Sequence, residues 1–167
     1  DRKGEAIIKG HNLRIAREPS TEEIIRAIGD PARYAEIVFC GYGEPTIRVD
    51  VIREVSQWVK RSGGKVRVNT DGHGNVIHHR NILPELVGLV DAFSISLNSA
   101  DPEQYGALMR VDGSTMFGAM ADFARECLRL RFDVTMTMVG LNDVNEAKAR
   151  TFAMEEIGAK FKNRNFF

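Results

Sequence analysis

Five short runs of β-branched and apolar residues alternate with helix-like segments along the chain, and this alternation limits the fold more than any other feature. The runs fall at residues 36–40, 65–69, 92–98, 132–139 and 160–165. All but one of the intervals between them suit a single strand-loop-helix unit. The longer interval, between the third and fourth runs, holds an extra helix at 101–109. Parallel strands require such crossovers, whereas antiparallel ones do not. The expected architecture is α/β: a partial, open parallel β/α barrel of about five to six strands. It should occupy residues 1–167 as one domain, with its first strand absent.

Helix signals agree with this reading. Ser20-Thr21-Glu22-Glu23 has the capping-box form and leads into Ile24, Ile25 and Ile28, up to Gly29. Val49, Ile52, Val55 and Val59 continue helically until Gly63-Gly64. Asp101-Pro102 places an N-cap before a proline at the first helical position. Ser114 opens a further helix, and Asp143 with Glu146 forms a capping box before one ending near Gly158.

The strands themselves do not read as the continuous apolar runs of sheets buried on both faces. They alternate. Phe93, Ile95 and Leu97 oppose Ser94, Ser96 and Asn98; Val134, Met136 and Met138 oppose Asp133, Thr135, Thr137 and Val139; Val66 and Val68 oppose Arg67 and Asn69. The apolar set should face the helices, and the polar set a common interior. An open barrel leaves that interior as a hydrated cleft for a polar ligand. An open sheet with one poorly covered face is the plainer alternative.

Composition removes several functions. The 167 residues include 23 Lys+Arg and 23 Asp+Glu, so no basic excess favours nucleic acid or an anionic membrane. No apolar run approaches the roughly 18–20 residues that a membrane-spanning helix needs, and no signal peptide is recognisable, so a cytoplasmic protein is expected. Cys40 and Cys127 cannot build a disulfide framework or a four-thiolate metal site. The sequence opens on Asp1 rather than Met, and a chemically important segment upstream is expected.

The sharpest local motif is Phe39-Cys40-Gly41-Tyr42-Gly43-Glu44-Pro45-Thr46, which ends one run and leads into a helix. Its glycines let backbone groups approach a ligand closely, and Glu44 adds an acceptor, an edge suited to an ammonium group. Without Lys, and with an acid present, it is no phosphate loop. A simple strand-to-helix turn would use the same glycines. Asn69-Thr70-Asp71-Gly72-His73-Gly74-Asn75 follows the next run, which places Asn69 and Thr70 at the same mouth. Asp71-Gly72 itself reads as a turn. His73, His78 and His79 do not have metal-ligand spacing, and Met116, Phe117, Met120 and Phe123 read as core packing.

Together these residues resemble the radical S-adenosylmethionine (SAM) family. Gly41-Tyr42-Gly43-Glu44-Pro45 resembles its glycine-glycine-glutamate motif, which holds the SAM methionyl ammonium. Asn69-Thr70-Asp71-Gly72 resembles its third-strand ending, and Ser94-Ile95-Ser96-Leu97-Asn98 its fourth strand, whose polar side chains reach the ribose or carboxylate. Val139-Gly140-Leu141 and Asn163-Arg164-Asn165 match by position, where strands flank the adenine. Within the family, Gly41-Tyr42-Gly43-Glu44-Pro45-Thr46, Arg67-Val68-Asn69-Thr70, Ser94-Ile95-Ser96-Leu97-Asn98 and Gly74-Asn75-Val76-Ile77-His78, followed by Asn81-Ile82, are similar to strings of the TatD-associated radical SAM proteins.

The resemblance implies a SAM-binding core. It also implies a [4Fe–4S] cluster that delivers one electron to the sulfonium, giving a 5′-deoxyadenosyl radical for hydrogen abstraction. An external one-electron donor and a substrate follow, the substrate unidentified. The family's Cys-x3-Cys-x2-Cys cluster loop is not in this sequence, so the chain by itself should bind SAM without cleaving it. Two alternatives stand beside this: a degenerate, non-catalytic barrel that binds a ligand or partner, and an ordinary α/β enzyme with Glu44 as general base.

Overall fold

The computed structural model describes residues 7–8, 11–12, 17–41, 43–140 and 143–164. Five strands form one parallel sheet in the order β3-β4-β5-β6-β7, namely Ile37–Phe39, Val66–Thr70, Ala92–Ser96, Asp133–Val139 and Lys160–Arg164. Chain order and spatial order coincide, as single-unit crossovers demand. Among the described residues the sheet stays open, with β3 and β7 as its edges. The expected partial barrel is borne out as an open α/β sheet. A two-stranded antiparallel hairpin, β1 (Ile7–Ile8) with β2 (His11–Asn12), precedes it; strands of two residues leave no periodicity for a sequence to show.

Local chemistry sets the helix ends. At α1 (Thr21–Ile28) the Ser20 hydroxyl accepts the Glu23 amide and the Glu23 carboxylate accepts the Ser20 amide, so the capping box closes. Helix α2 spans Val49–Arg61 and a short α3 spans Gly74–Ile77. Helix α4 (Pro102–Met109) starts as expected, with the Asp101 side chain accepting the Gln104 amide at 3.0 Å. Two boundaries differ from expectation. Helix α5 covers Gly113–Arg129 and is capped by Asp112. Helix α6 covers Glu146–Thr151 and is capped by Asn145, whose side chain accepts the Lys148 amide, rather than by Asp143. From Phe152 to Ile157 the helix widens into π turns before Gly158 ends it with a left-handed φ of 84°.

The apolar face of the sheet carries the core. Val66, Val68, Phe93, Ile95, Leu97, Val134, Met136 and Met138 are all buried there, against Ile52, Val55 and Val59 of α2 and Met120, Phe123 and Ala124 of α5. Phe93 packs edge-on against both Phe123 and Phe132, at 5.7 and 5.0 Å between ring centres. Helices α4 and α5 approach so closely at Gly113 that a Cβ there would lie 2.0 Å from the Pro102 carbonyl oxygen.

The opposite face is polar and arranged in rows. Register partners in a parallel ladder project to the same side. One row therefore runs Arg67, Ala92, Asp133; the next Asn69, Ser94, Thr135, Lys160; then Ser96, Thr137, Lys162; and finally Val139, Arg164. The alternation in sequence has become a face in space.

Candidate active site

The strands' carboxyl ends hold the motif residues. After β3 the chain makes a tight loop in which Gly41 and Gly43 bridge each other, and Gly43 adopts a φ of 135° that side chains rarely tolerate. Tyr42 lies outside the described residues. Glu44 then caps a single 3-10 turn, Pro45–Arg48, with proline at its first position.

The Glu44 carboxylate is engaged by the protein itself. One oxygen accepts the Thr46 amide at 2.9 Å, the Thr46 hydroxyl at 2.5 Å and the Thr70 hydroxyl at 2.7 Å; the other accepts the Asp71 amide at 2.8 Å. Its part in the edge is to tie the glycine turn to the end of β4. Burial and the negative charge of Asp71 hold Glu44 above its ordinary pKa.

Thr70 and Asn98 depart from the polar face on which the sequence put their neighbours. Thr70 belongs by parity with Val66 and Val68, is buried, and spends its hydroxyl on Glu44. Asn98 leaves the strand in a left-handed conformation, φ 53°, with its amide nitrogen on the Met109 sulfur at 3.1 Å and its buried oxygen without a partner among the described residues. Asn69, Ser94 and Ser96 do share the face. Asn69 accepts one bond from Arg67 at 2.6 Å, and its amide nitrogen has no partner among the described residues. The hydroxyls of Ser94 and Ser96 bond to no described residue either, and both residues are half-buried. That is a platform of unspent neutral donors and acceptors. Arg164 ends β7 on the same side, exposed, at the opposite edge of the sheet from β3.

Behind Glu44 lies a polar chain that the sequence did not disclose. The Asp71 carboxylate accepts the His73 amide at 2.9 Å and stands 3.5 Å from His73 Nδ1, while His73 Nε2 meets the Tyr105 hydroxyl at 2.9 Å. Both rings are buried. Burial would raise Asp71, but the bonds from His73 and Glu44 outweigh it and leave it below its ordinary value. Burial, then the charges of Asp71 and Glu44, raise the Tyr105 phenol. His78 supports the same turn through Nε2 to the Thr46 carbonyl, 2.7 Å. Gly74 is required beneath it, since a Cβ would lie 2.7 Å from Ile82 and 2.8 Å from the Thr46 hydroxyl. A histidine next to Asp-Gly was the only signal.

The residues present do not suit an iron–sulfur cluster. Cys40 is exposed at the end of β3, whereas Cys127 sits in the core of α5 and burial pushes its thiol well up. No group of three or more His, Cys, Asp or Glu among the described residues can hold a metal ion. The same residues do suit a polar, cationic organic ligand: backbone at a glycine edge, then hydroxyl and amide groups across two rows.

A parallel β/α sheet with helices on one face and a polar, ligand-ready platform on the other defines an α/β protein of the partial-barrel class. The Radical SAM superfamily profile matches residues 6–154, and the chain belongs to that superfamily. A solved domain of pyruvate-formate lyase-activating enzyme from Bacteroides vulgatus ATCC 8482 has a similar fold, with a TM-score of 0.55 and 12% identity over 78% of this chain and 99% of that one. No curated protein matches. Among the described residues no helix is long and apolar enough to cross a membrane.

Proposed function

We propose that this chain, as one domain, is the SAM-binding core of a cytoplasmic radical SAM enzyme of the TatD-associated kind. The observation that carries the reading is the polar face itself. Asn69, Ser94 and Ser96 leave donors and acceptors unspent, in two adjacent rows, beside a glycine edge locked in place by Glu44. The Gly41 and Gly43 backbone would take the methionyl ammonium, while Asn69, Ser94 and Ser96 would meet the ribose hydroxyls or the carboxylate. Thr70 and Glu44 act behind that edge, Pro45 fixes the turn that follows, and Arg164 is kept apart from the set because it stands at the far edge.

The [4Fe–4S] cluster does not fit the two cysteines here, so its ligands are assigned to a segment outside this chain. A cluster so held would take an electron from an external donor and supply it for reductive cleavage of SAM. This chain's own contribution is to bind SAM, orient its sulfonium and keep water from the site. The substrate is a separate molecule at the same mouth. The placement of the two cysteines, Cys40 exposed and Cys127 in the core, also favours a second reading, a ligand-binding barrel without catalysis.

Calorimetric titration of the chain with SAM tests the binding half. The expected result is saturable 1:1 binding, weakened at least tenfold in Ser96→Ala and Gly43→Ala. Absence of binding, or equal affinity in all three proteins, overturns it. Extending the reading frame upstream and reconstituting with iron and sulfide separates the two readings. A reduced-cluster EPR signal supports the enzyme, and an upstream sequence without a cysteine triplet supports the non-catalytic barrel.

A further inference from the structure

The inward face of β7 carries three cations at alternate positions, Lys160, Lys162 and Arg164. Lys160 is neutralised by Asp133 in the neighbouring strand, at 2.8 Å. Lys162 and Arg164 form no ion pair among the described residues. Two residues along a strand put their attachment points about 6.6 Å apart on one side. In a chain of zero net charge, two uncompensated cations at one edge of a neutral polar platform are a local concentration of positive potential.

The opposite edge already suits a cation. On the reading proposed above, the SAM ammonium sits at Gly41 and Gly43, beyond β3. Its carboxylate shares a carbon atom with that ammonium, so it lies towards the β3 end of the sheet, whereas β7 is the opposite edge. Adenine is neutral and needs no counter-charge. On that reading SAM brings no anionic group to the exposed pair on β7.

We propose that Lys162 and Arg164 recognise the anionic group, carboxylate or phosphate, of the enzyme's substrate, seated over the Ser96–Thr137–Lys162 row. This inference deepens the SAM-enzyme reading and rests on it for the word substrate. The binding site itself stands independently. Arg164 supplies a planar fork for two oxygens and Lys162 a mobile point charge, a combination suited to a multi-oxygen anion.

The test uses the chain labelled with 15N, titrated separately with inorganic phosphate and with succinate at constant chloride, with and without saturating SAM. Saturable amide shifts at Thr137, Val139, Lys162 and Arg164 are expected, persisting when SAM is bound. Whichever of the two anions binds more tightly identifies the class. Lys162→Gln with Arg164→Gln should weaken anion binding at least tenfold while altering SAM affinity less than threefold, and Lys162→Arg alone should keep it. Absence of saturable shifts, or equal shifts in the double variant, overturns the proposal. So does a matching tenfold loss of SAM affinity, which would assign the pair to SAM. Anion binding without SAM binding would leave this site standing and sink the cofactor reading instead.

Discussion

The Glu44 carboxylate accepts the Thr70 hydroxyl at 2.7 Å, and that bond joins the turn after β3 to the end of β4. Motif and platform come from different strands, and this side chain holds their relative position. It does so with bonds to both of its oxygens, three on one and one on the other, so its contribution to the site is first of all geometric.

Glu44→Ala should accordingly cost stability as well as affinity. It strips the acceptor from two amides and two hydroxyls in a part-buried place. Buried donors left unpaired cost about 1–3 kcal/mol each, although not additively. A loss of about 3 kcal/mol in urea unfolding is expected, with Glu44→Gln losing less than half as much because it keeps one oxygen. Equal losses in the two variants would show that charge, not acceptor geometry, matters at this position.

The Glu44–Asp71 pair also sets a pH dependence. Glu44 titrates above its ordinary 4.5, through burial first and Asp71 second. A raised carboxyl pKa means that the folded state holds the proton more tightly, so this group's contribution is most favourable below 4.5 and is lost as pH rises towards the folded value. Asp71, held below 3.8, acts in the opposite sense and only at pH values under 3.8. Asp71→Asn should therefore flatten the decline in Tm with pH just above 4.5, measured against wild type. Parallel pH profiles for the two proteins would contradict the coupling.

The glycine edge offers an internal control. Gly43 has a φ of 135° with open space around its missing Cβ, whereas Gly41 lacks a positive φ and its Cβ would meet nothing nearer than 3.8 Å. Gly43→Ala should cost about 1–3 kcal/mol from backbone strain alone, with distortion of the edge. Gly41→Ala should cost under about 0.5 kcal/mol. Thermal unfolding of the two variants side by side checks this, and similar costs would refute the conformational argument.

Much of this architecture was legible because one-dimensional patterns map directly onto faces. Phe93, Ser94, Ile95 and Ser96 alternate, and the sheet sorts them to opposite sides. Asp101-Pro102 states its own helix start. Other features failed for identifiable reasons. Asp143 lies three residues before Glu146 and so mimics a capping box, but Asn145 is nearer the helix and takes the role. Thr70 shares its parity with Val66 and Val68, so it faces the helices although it is polar. Asn98 keeps the alternation in sequence yet leaves the strand through a left-handed turn. His73 and Tyr105 meet across 32 positions of sequence, a contact only the folded chain creates.

That last contact gives the final prediction. The Tyr105 hydroxyl is the polar end of a fully buried ring that packs edge-on against Phe117 at 5.5 Å between centres. Tyr105→Phe retains the ring packing and removes only the hydroxyl, leaving His73 Nε2 buried without its partner. The expected cost is about 1–2 kcal/mol in urea unfolding, with the m-value unchanged. Because His73 also donates its amide to Asp71, hydrogen exchange at the His73 amide should quicken in the variant more than at Val68, in the middle of β4. SAM affinity should fall less than threefold, since Glu44 keeps its own bonds to Thr46, Thr70 and Asp71. A fall as large as that for Gly43→Ala would mean that the buried chain from Tyr105 to Asp71, rather than Glu44, holds the edge in place.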